Sequence, residues 1–255
     1  MTPGLSARNP GLARLIAAQV PADFADWLAF VTIAAVMAYD WQAPPVAFAC
    51  LGLAMGLPPV VVGPFAGALV DRWRVRAVLF WSNLARGGAV GCYLLAGNWQ
   101  VLVALVALAA AVDAFFTPAK QAALQALVAP ADRMQANGLS QGINHASKIA
   151  GPALGGALLA IAGPAAVFAL TAAASALAAI IVTGLPVPPR PSREGQTSGL
   201  FAEIGQGLTL IRGSVPLRAA ILLMTAGYFA IFLYDTLIAP LLQTLGLGPQ
   251  VLGLC

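Results

Sequence analysis

Residues 67–79 read GALVDRWRVRAVL. One apolar stretch, 46–70, runs into this segment and another, 77–96, runs out of it. Each is long enough to cross a hydrocarbon core of roughly 30 Å. Asp71, Arg72, Arg74 and Arg76 sit on the short turn between them. The neighbouring connectors on either side, Tyr39–Pro45 and Gly97–Gln100, hold no Lys or Arg. The alternation continues along the chain. Arg8 and Arg14, then Arg72–Arg76, then Lys120 and Arg133, then Arg190, Arg193, Arg212 and Arg218 fall in one set of connectors; Ala162–Ala165 joins the uncharged set. Loops on the cytoplasmic side retain positive charge, so the pattern predicts both the number of spans and their direction, with the N-terminus inside.

Composition agrees. The 255 residues are 60% hydrophobic and 9% charged, with mean hydropathy +0.86. A soluble domain of this length carries far more charge, so the expectation is an all-α, multi-pass membrane protein in contact with the lipid bilayer. The net charge of +4 follows from the connector bias, and nucleic-acid binding is not expected. Cys50 and Cys92 fall inside apolar stretches and Cys255 is the last residue, a spacing that suits neither a metal site nor a disulfide framework. No cofactor or metal is expected. There is no H-E-x-x-H or G-x-S-x-G pattern, and one His cannot build a multi-His centre, so an enzyme is disfavoured. The absence of a G-x-x-x-x-G-K-[ST] loop disfavours an ATP-driven pump.

The expected spans are 15–38, 46–70, 77–96, 101–118, 138–161, 165–185 and 217–240. Residues 1–186 then form a six-helix bundle. Residues 187–216 form a cytoplasmic linker, Pro-rich at LPVPPRPSREGQTS (185–198), followed by a short interfacial helix with Leu200, Phe201, Ile204, Leu208 and Ile211 at helical spacing. Residues 217–255 hold the seventh span and, from Gly246, the beginning of an eighth. A chain that ends on entering a span looks truncated. Gly63 with Gly67, Gly87 with Gly91, and Gly151 with Gly155 are spaced for close helix contact, and tight packing is the expected role of the first two pairs.

Gly67, Asp71, Arg72 and Arg76 match the loop signature G-x-x-x-D-R-x-G-R-R, with Arg74 in place of its Gly and Val75 in place of an Arg. Residues 151–156, GPALGG, match G-P-x-x-G-G through Gly151, Pro152, Gly155 and Gly156, with Ser147 where a longer form has Gly. On these motifs, and on FFTPAKQAALQALV (115–128) and ANGLSQGINHASKIAGPALGG (136–156), the chain resembles the major facilitator superfamily. Within it, the likeness is to the drug-antiporter branch that includes macrolide-efflux and enterobactin-exporter proteins. The resemblance covers the whole chain. It implies a fold of two six-helix halves, of which this chain holds the N-terminal half plus the seventh helix, so that the C-terminal half is required for function. It also implies residence in a plasma membrane, here a bacterial inner membrane. The branch's fourth-span motif with a central Arg is not evident; Asp113 occupies that part of the span.

Charges inside a membrane are costly and usually face a cavity or a partner. Asp23, Asp26, Arg86, Asp113, Lys148 and, in the seventh span, Asp235 are the candidates. Asp26 is placed near mid-membrane, with Lys148 at a comparable depth. Arg86 and Asp113 are placed nearer the inner face, as a structural ion pair. Gln141, Asn144, His145 and Lys148 share a helical face leading toward Gly151 and Gly155, a stripe suited to a substrate cavity. Asp26 is the leading proton carrier, with Lys148 as the rival partner that would merely neutralise it; His145 is a further proton-carrier candidate. The expected function is export of a small amphiphilic molecule by a secondary transporter, in exchange for protons, by alternating access. The alternative is a half-unit that inserts but does not transport alone.

Overall fold

The structure is a computed structural model that describes residues 8–188 and 200–246, apart from several side chains in the last two helices, Asp235 among them. The eighth stretch beyond Gly246 and most of the Pro-rich linker lie outside the described residues. Among the described residues every regular element is helical.

Helix α1 (Pro10–Ala35) starts where a sequence with Asn before Pro should start one. Asn9 Oδ1 accepts from the Leu12 N–H at 3.0 Å, and Pro10 takes the first helical position, where no donor is needed. The span ends in a π-helical turn, Val36–Asp40. Helix α2 (Pro45–Val70) and helix α3 (Val75–Tyr93) flank the Arg-bearing turn. Helix α4 (Trp99–Asp113) is capped by Asn98, which accepts from the Val101 N–H at 2.9 Å. Helix α5 (Phe116–Leu127) follows after a two-residue break. Helix α6 (Arg133–Thr183) holds two spans, because Gly163 at φ 76°, ψ 170° breaks it inside the expected connector Ala162–Ala165. Only glycine adopts that backbone readily. Helix α7 (Leu200–Gly213) and helix α8 (Val215–Thr244) cover the expected interfacial helix and seventh span.

Two expectations change. Lys120, expected in a connector, lies on α5 and is 6% exposed, because the chain turns at Ala114–Phe115 and resumes as a helix to Leu127. Tight packing is found at Gly87 alone of the first two glycine pairs. An added Cβ there would meet Ser175 Cβ at 3.1 Å, whereas Gly63, Gly67 and Gly91 have nothing within 4 Å. The spacing puts small residues on one face but does not say whether a neighbour comes to that face.

The helices enclose two apolar clusters. One gathers Met37, Phe48, Leu51, Val90, Leu102, Val106 and Phe168, toward the uncharged connectors. The other gathers Leu12, Leu15, Leu79, Phe116, Leu124, Val182 and Leu185, toward the Arg-bearing connectors. On α1 the second cluster ends at Ala22 and the first begins at Ala29; on α3 the corresponding limits are Leu79 and Ala89. Asp23, Asp26 and Arg86 therefore lie in the seam between them. Buried Ser82, Asn83, Ser140, Ser147 and Ser175 belong to the same polar population.

At the Arg-bearing end, side chains from the start of α1 take carbonyls that later helices leave free. Asn9 Nδ2 donates to the Leu127 carbonyl at 2.7 Å, and Arg14 donates to the Gly184 carbonyl. Helix ends leave such carbonyls without intrahelical partners.

Candidate functional site

Three helices bring charge to the seam. Gln19, Asp23 and Asp26 succeed one another on α1 at spacings of four and three, which aligns them on one face. Asn83 and Arg86 are three apart on α3, and Asp113 closes α4.

Arg86 is the junction. Its Nη1 donates to Asp26 Oδ2 at 2.9 Å and to Asp113 Oδ1 at 3.1 Å, and its Nη2 donates to Asn83 Oδ1 at 2.9 Å. The guanidinium stands 5.4 Å from the centre of the Phe116 ring, and the Lys120 ammonium stands 5.6 Å from the same ring. The Nε is buried without a hydrogen-bond partner. Exposure is divided unevenly: the Arg86 side chain is 5% exposed, Asp26 42% and Asp113 41%. The cation is held inside and the two carboxylates lie on the open side. A guanidinium keeps its proton, so two ionised carboxylates and Arg86 sum to one negative charge.

Arg86 meets both Asp113 and Asp26, and Lys148 is not Asp26's salt-bridge partner. The Lys148 ammonium lies over the Trp27 ring, 5.2 Å from its centre. Asp26 and Arg86 meet although they stand at different distances along their helices. Asp26 is about 24 Å along α1 and Arg86 about 16 Å along α3 at 1.5 Å per residue. The first turn of α1 reaches to the end of α5, where Asn9 binds Leu127, and the long Arg86 side chain covers more of the difference.

A second polar group joins α1 to α6. Asp23, 3% exposed, accepts from Gln19 Nε2 at 2.8 Å and from Asn144 Nδ2 at 3.3 Å. Gln19 Nε2 also donates to the Ser140 carbonyl, and Ser140 Oγ donates to Gln19 Oε1, each at 2.8 Å. Asp23 thus sits among carboxamides in a closed helix-to-helix clamp. The expected stripe divides here. Asn144 turns to α1, while Gln141 and His145 are exposed. The residues that continue toward the glycines are Ser140, Asn144 and Ser147, in line with Gly151 and Gly155. Those glycines let α1 come close: a Cβ on Gly151 would stand 2.5 Å from Trp27 Cβ, and one on Gly155 would meet Leu28 and Val31 at 3.4–3.6 Å. Pro152 lies in the same arm, and Gly156 is buried beside Gly155. Asp71, Arg72 and Arg76 are exposed at the tip of the α2–α3 turn.

Gln19, Asn83, Ser140 and Phe116 were not singled out from the sequence. A signal existed for two of them, since Gln19 and Asn83 each stand one turn before an intramembrane charge. Ser140 and Phe116 join the site through contacts between helices.

The family model described as Major Facilitator Superfamily matches residues 15–255. The chain belongs to this superfamily. Its curated relatives include the uncharacterised MFS-type transporter YfiS of Bacillus subtilis, 28% identical over 98% of this chain and 61% of that protein. They also include macrolide efflux protein A of Streptococcus pyogenes, 26% identical over 73% of the chain and 47% of the relative. An MFS-type transporter of Mycobacterium tuberculosis is 37% identical over 40% of the chain and 24% of the relative. The chain therefore spans less than two thirds of the length of these relatives. As a superfamily member it is a multi-pass membrane protein. The loop signature lies at the α2–α3 turn and the GPALGG residues lie on the first arm of α6.

Proposed function

We propose that the protein is a secondary exporter of small amphiphilic molecules of the drug, macrolide or siderophore kind, driven by proton exchange. In this reading it lies in a bacterial inner membrane with Arg72–Arg76 in the cytoplasm. The single observation that carries the coupling is Arg86 bound at once to Asp26 on α1 and Asp113 on α4. One buried cation shared by two open-sided acids ties three spans together. Adding a proton to either acid removes one of these ties and leaves the other. Spans 1, 3 and 4 then have two arrangements that differ by one ionic contact, the kind of bistable element alternating access needs. The macrolide efflux relative supports the direction and the class of cargo.

The test is uphill efflux in cells lacking other exporters, with Asp26→Asn against the unaltered protein at equal expression. The amide mimics the protonated acid, so uphill export should be lost while downhill exchange of substrate persists. Undiminished uphill export would remove Asp26 from the coupling step. No transport by the unaltered protein, inserted and folded, would favour the half-unit reading.

A further inference from the structure

We propose that the crevice between α2, α3 and α4 at the Arg-bearing end is a binding site for one anionic phospholipid, with an acyl chain in the crevice and the headgroup at the α2–α3 turn. The inference rests on membrane placement alone and does not depend on what is exported or in which direction.

The cavity has a volume of about 470 Å³ and is lined by Val62, Trp73, Trp81, Ala85, Val112 and Phe115, among others. Ser82 is the one hydroxyl in its lining. Trp73 and Phe115 stack at 6.1 Å and 16° to form one wall, at the end where the turn lies. Trp73 and Trp81 are 50% and 62% exposed, which is high for the largest apolar side chains of the chain. Such a lining, apolar apart from the Ser82 hydroxyl and the indole N–H groups, suits a hydrocarbon chain better than a polar ligand. Charge gathers at one end only. Across Asp71–Arg76 three arginines stand against one aspartate, and Arg74 and Arg76, which lie in the chain between the lining residues Trp73 and Ala77, are exposed. Basic residues beside a pocket between transmembrane helices recognise acidic lipid headgroups, and tryptophans favour the headgroup boundary. An acid-headed, hydrocarbon-tailed molecule matches both ends of the crevice. The membrane supplies it at high concentration, whereas a free phosphate ion would use only the turn and leave the crevice empty.

The test is quenching of tryptophan emission by brominated acyl chains. The protein carries Trp27→Phe, Trp41→Phe and Trp99→Phe so that Trp73 and Trp81 report. It is reconstituted in phosphatidylcholine vesicles containing a small fraction of brominated phosphatidylglycerol or, separately, brominated phosphatidylcholine. The proposal expects brominated phosphatidylglycerol to quench at a several-fold lower fraction. Arg74→Gln and Arg76→Gln should each reduce that preference by about fivefold, the equivalent of about 1 kcal/mol per cation near a membrane surface. Ala85→Leu, which narrows the crevice and leaves the arginines in place, should lower quenching by phosphatidylglycerol. It also keeps the proposal open to test if the Arg variants fail to insert. Inorganic phosphate added to 10-fold excess over phosphatidylglycerol should not relieve the quenching. Equal quenching by both lipids would mean ordinary lipid contact and overturn the proposal. Quenching by neither would mean that protein covers the crevice and overturn it as well.

Discussion

Gly151→Ala should be among the most damaging single-methyl additions in the chain. The new Cβ would lie 2.5 Å from Trp27 Cβ, 3.4 Å from Cγ and 3.7 Å from Cα. Restoring an ordinary contact of 3.4 Å requires about 0.9 Å of movement (3.4 − 2.5). The atom in the way is a Cβ, not the end of a flexible side chain, so α1 must shift as a body. Overpacking of this kind costs about 1–3 kcal/mol, which shifts the unfolding equilibrium about fivefold to 150-fold. Gly155→Ala, with its nearest neighbour at 3.4 Å, should cost less, and Gly67→Ala, with nothing within 4 Å, should fall within about 0.5 kcal/mol of the parent. The assay is reversible unfolding by denaturing detergent in mixed micelles, followed by helical circular dichroism. A double-mutant cycle sharpens it. Trp27→Ala keeps the offending Cβ and should leave the Gly151→Ala penalty in place, whereas Trp27→Gly should remove most of it. The reasoning fails if Gly151→Ala unfolds no more easily than Gly67→Ala, or if Trp27→Ala relieves the penalty as fully as Trp27→Gly.

Three further outcomes follow from the same structure. Arg86→Gln should destabilise by about 1–3 kcal/mol, below the 3–5 of a fully buried pair because both acids are two-fifths exposed, and Asp113→Asn by less, since Arg86 keeps Asp26; detergent unfolding of the two variants ranks them, and the reverse order contradicts the junction role. A membrane-impermeant thiol reagent applied from outside should modify Asn98→Cys and spare Trp73→Cys, each in a background free of native Cys; the opposite labelling inverts the orientation. Asp71→Asn should weaken export without reducing membrane insertion, as seen by efflux rate at matched protein level, and unchanged efflux would leave Asp71 a turn residue only.

Much of the fold was legible because a bilayer constrains a sequence in one dimension. Span length and connector charge located most helices within about five residues, though not α5 (Phe116–Leu127), and the Gly163–Pro164 break fell inside the uncharged connector where it was expected. The rotation of each helix about its axis was not legible. That is why Gly63 and Gly67 face open space although their spacing matches that of Gly151 and Gly155. The site shows the same division. That Asp26, Arg86 and Asp113 need partners follows from the cost of charge in hydrocarbon. That one guanidinium serves both acids, while Lys148 turns to Trp27, depends on side-chain reach across three helices, which no spacing along one helix encodes.

The bonds at the Arg-bearing end have a consequence for assembly. Asn9 closes on Leu127 and Arg14 on Gly184, separations of 118 and 170 residues. Helix α1 also finds its glycine face on α6, more than a hundred residues downstream. During synthesis the first helix must therefore wait in the membrane, with Asp23 lacking Asn144, until α6 is made, whereas Asp26 meets Arg86 sooner, on α3. Loop-closure entropy over such distances grows slowly with length, so the delay costs time more than free energy. The helix made first thus receives its main packing partner only when α6 has been made.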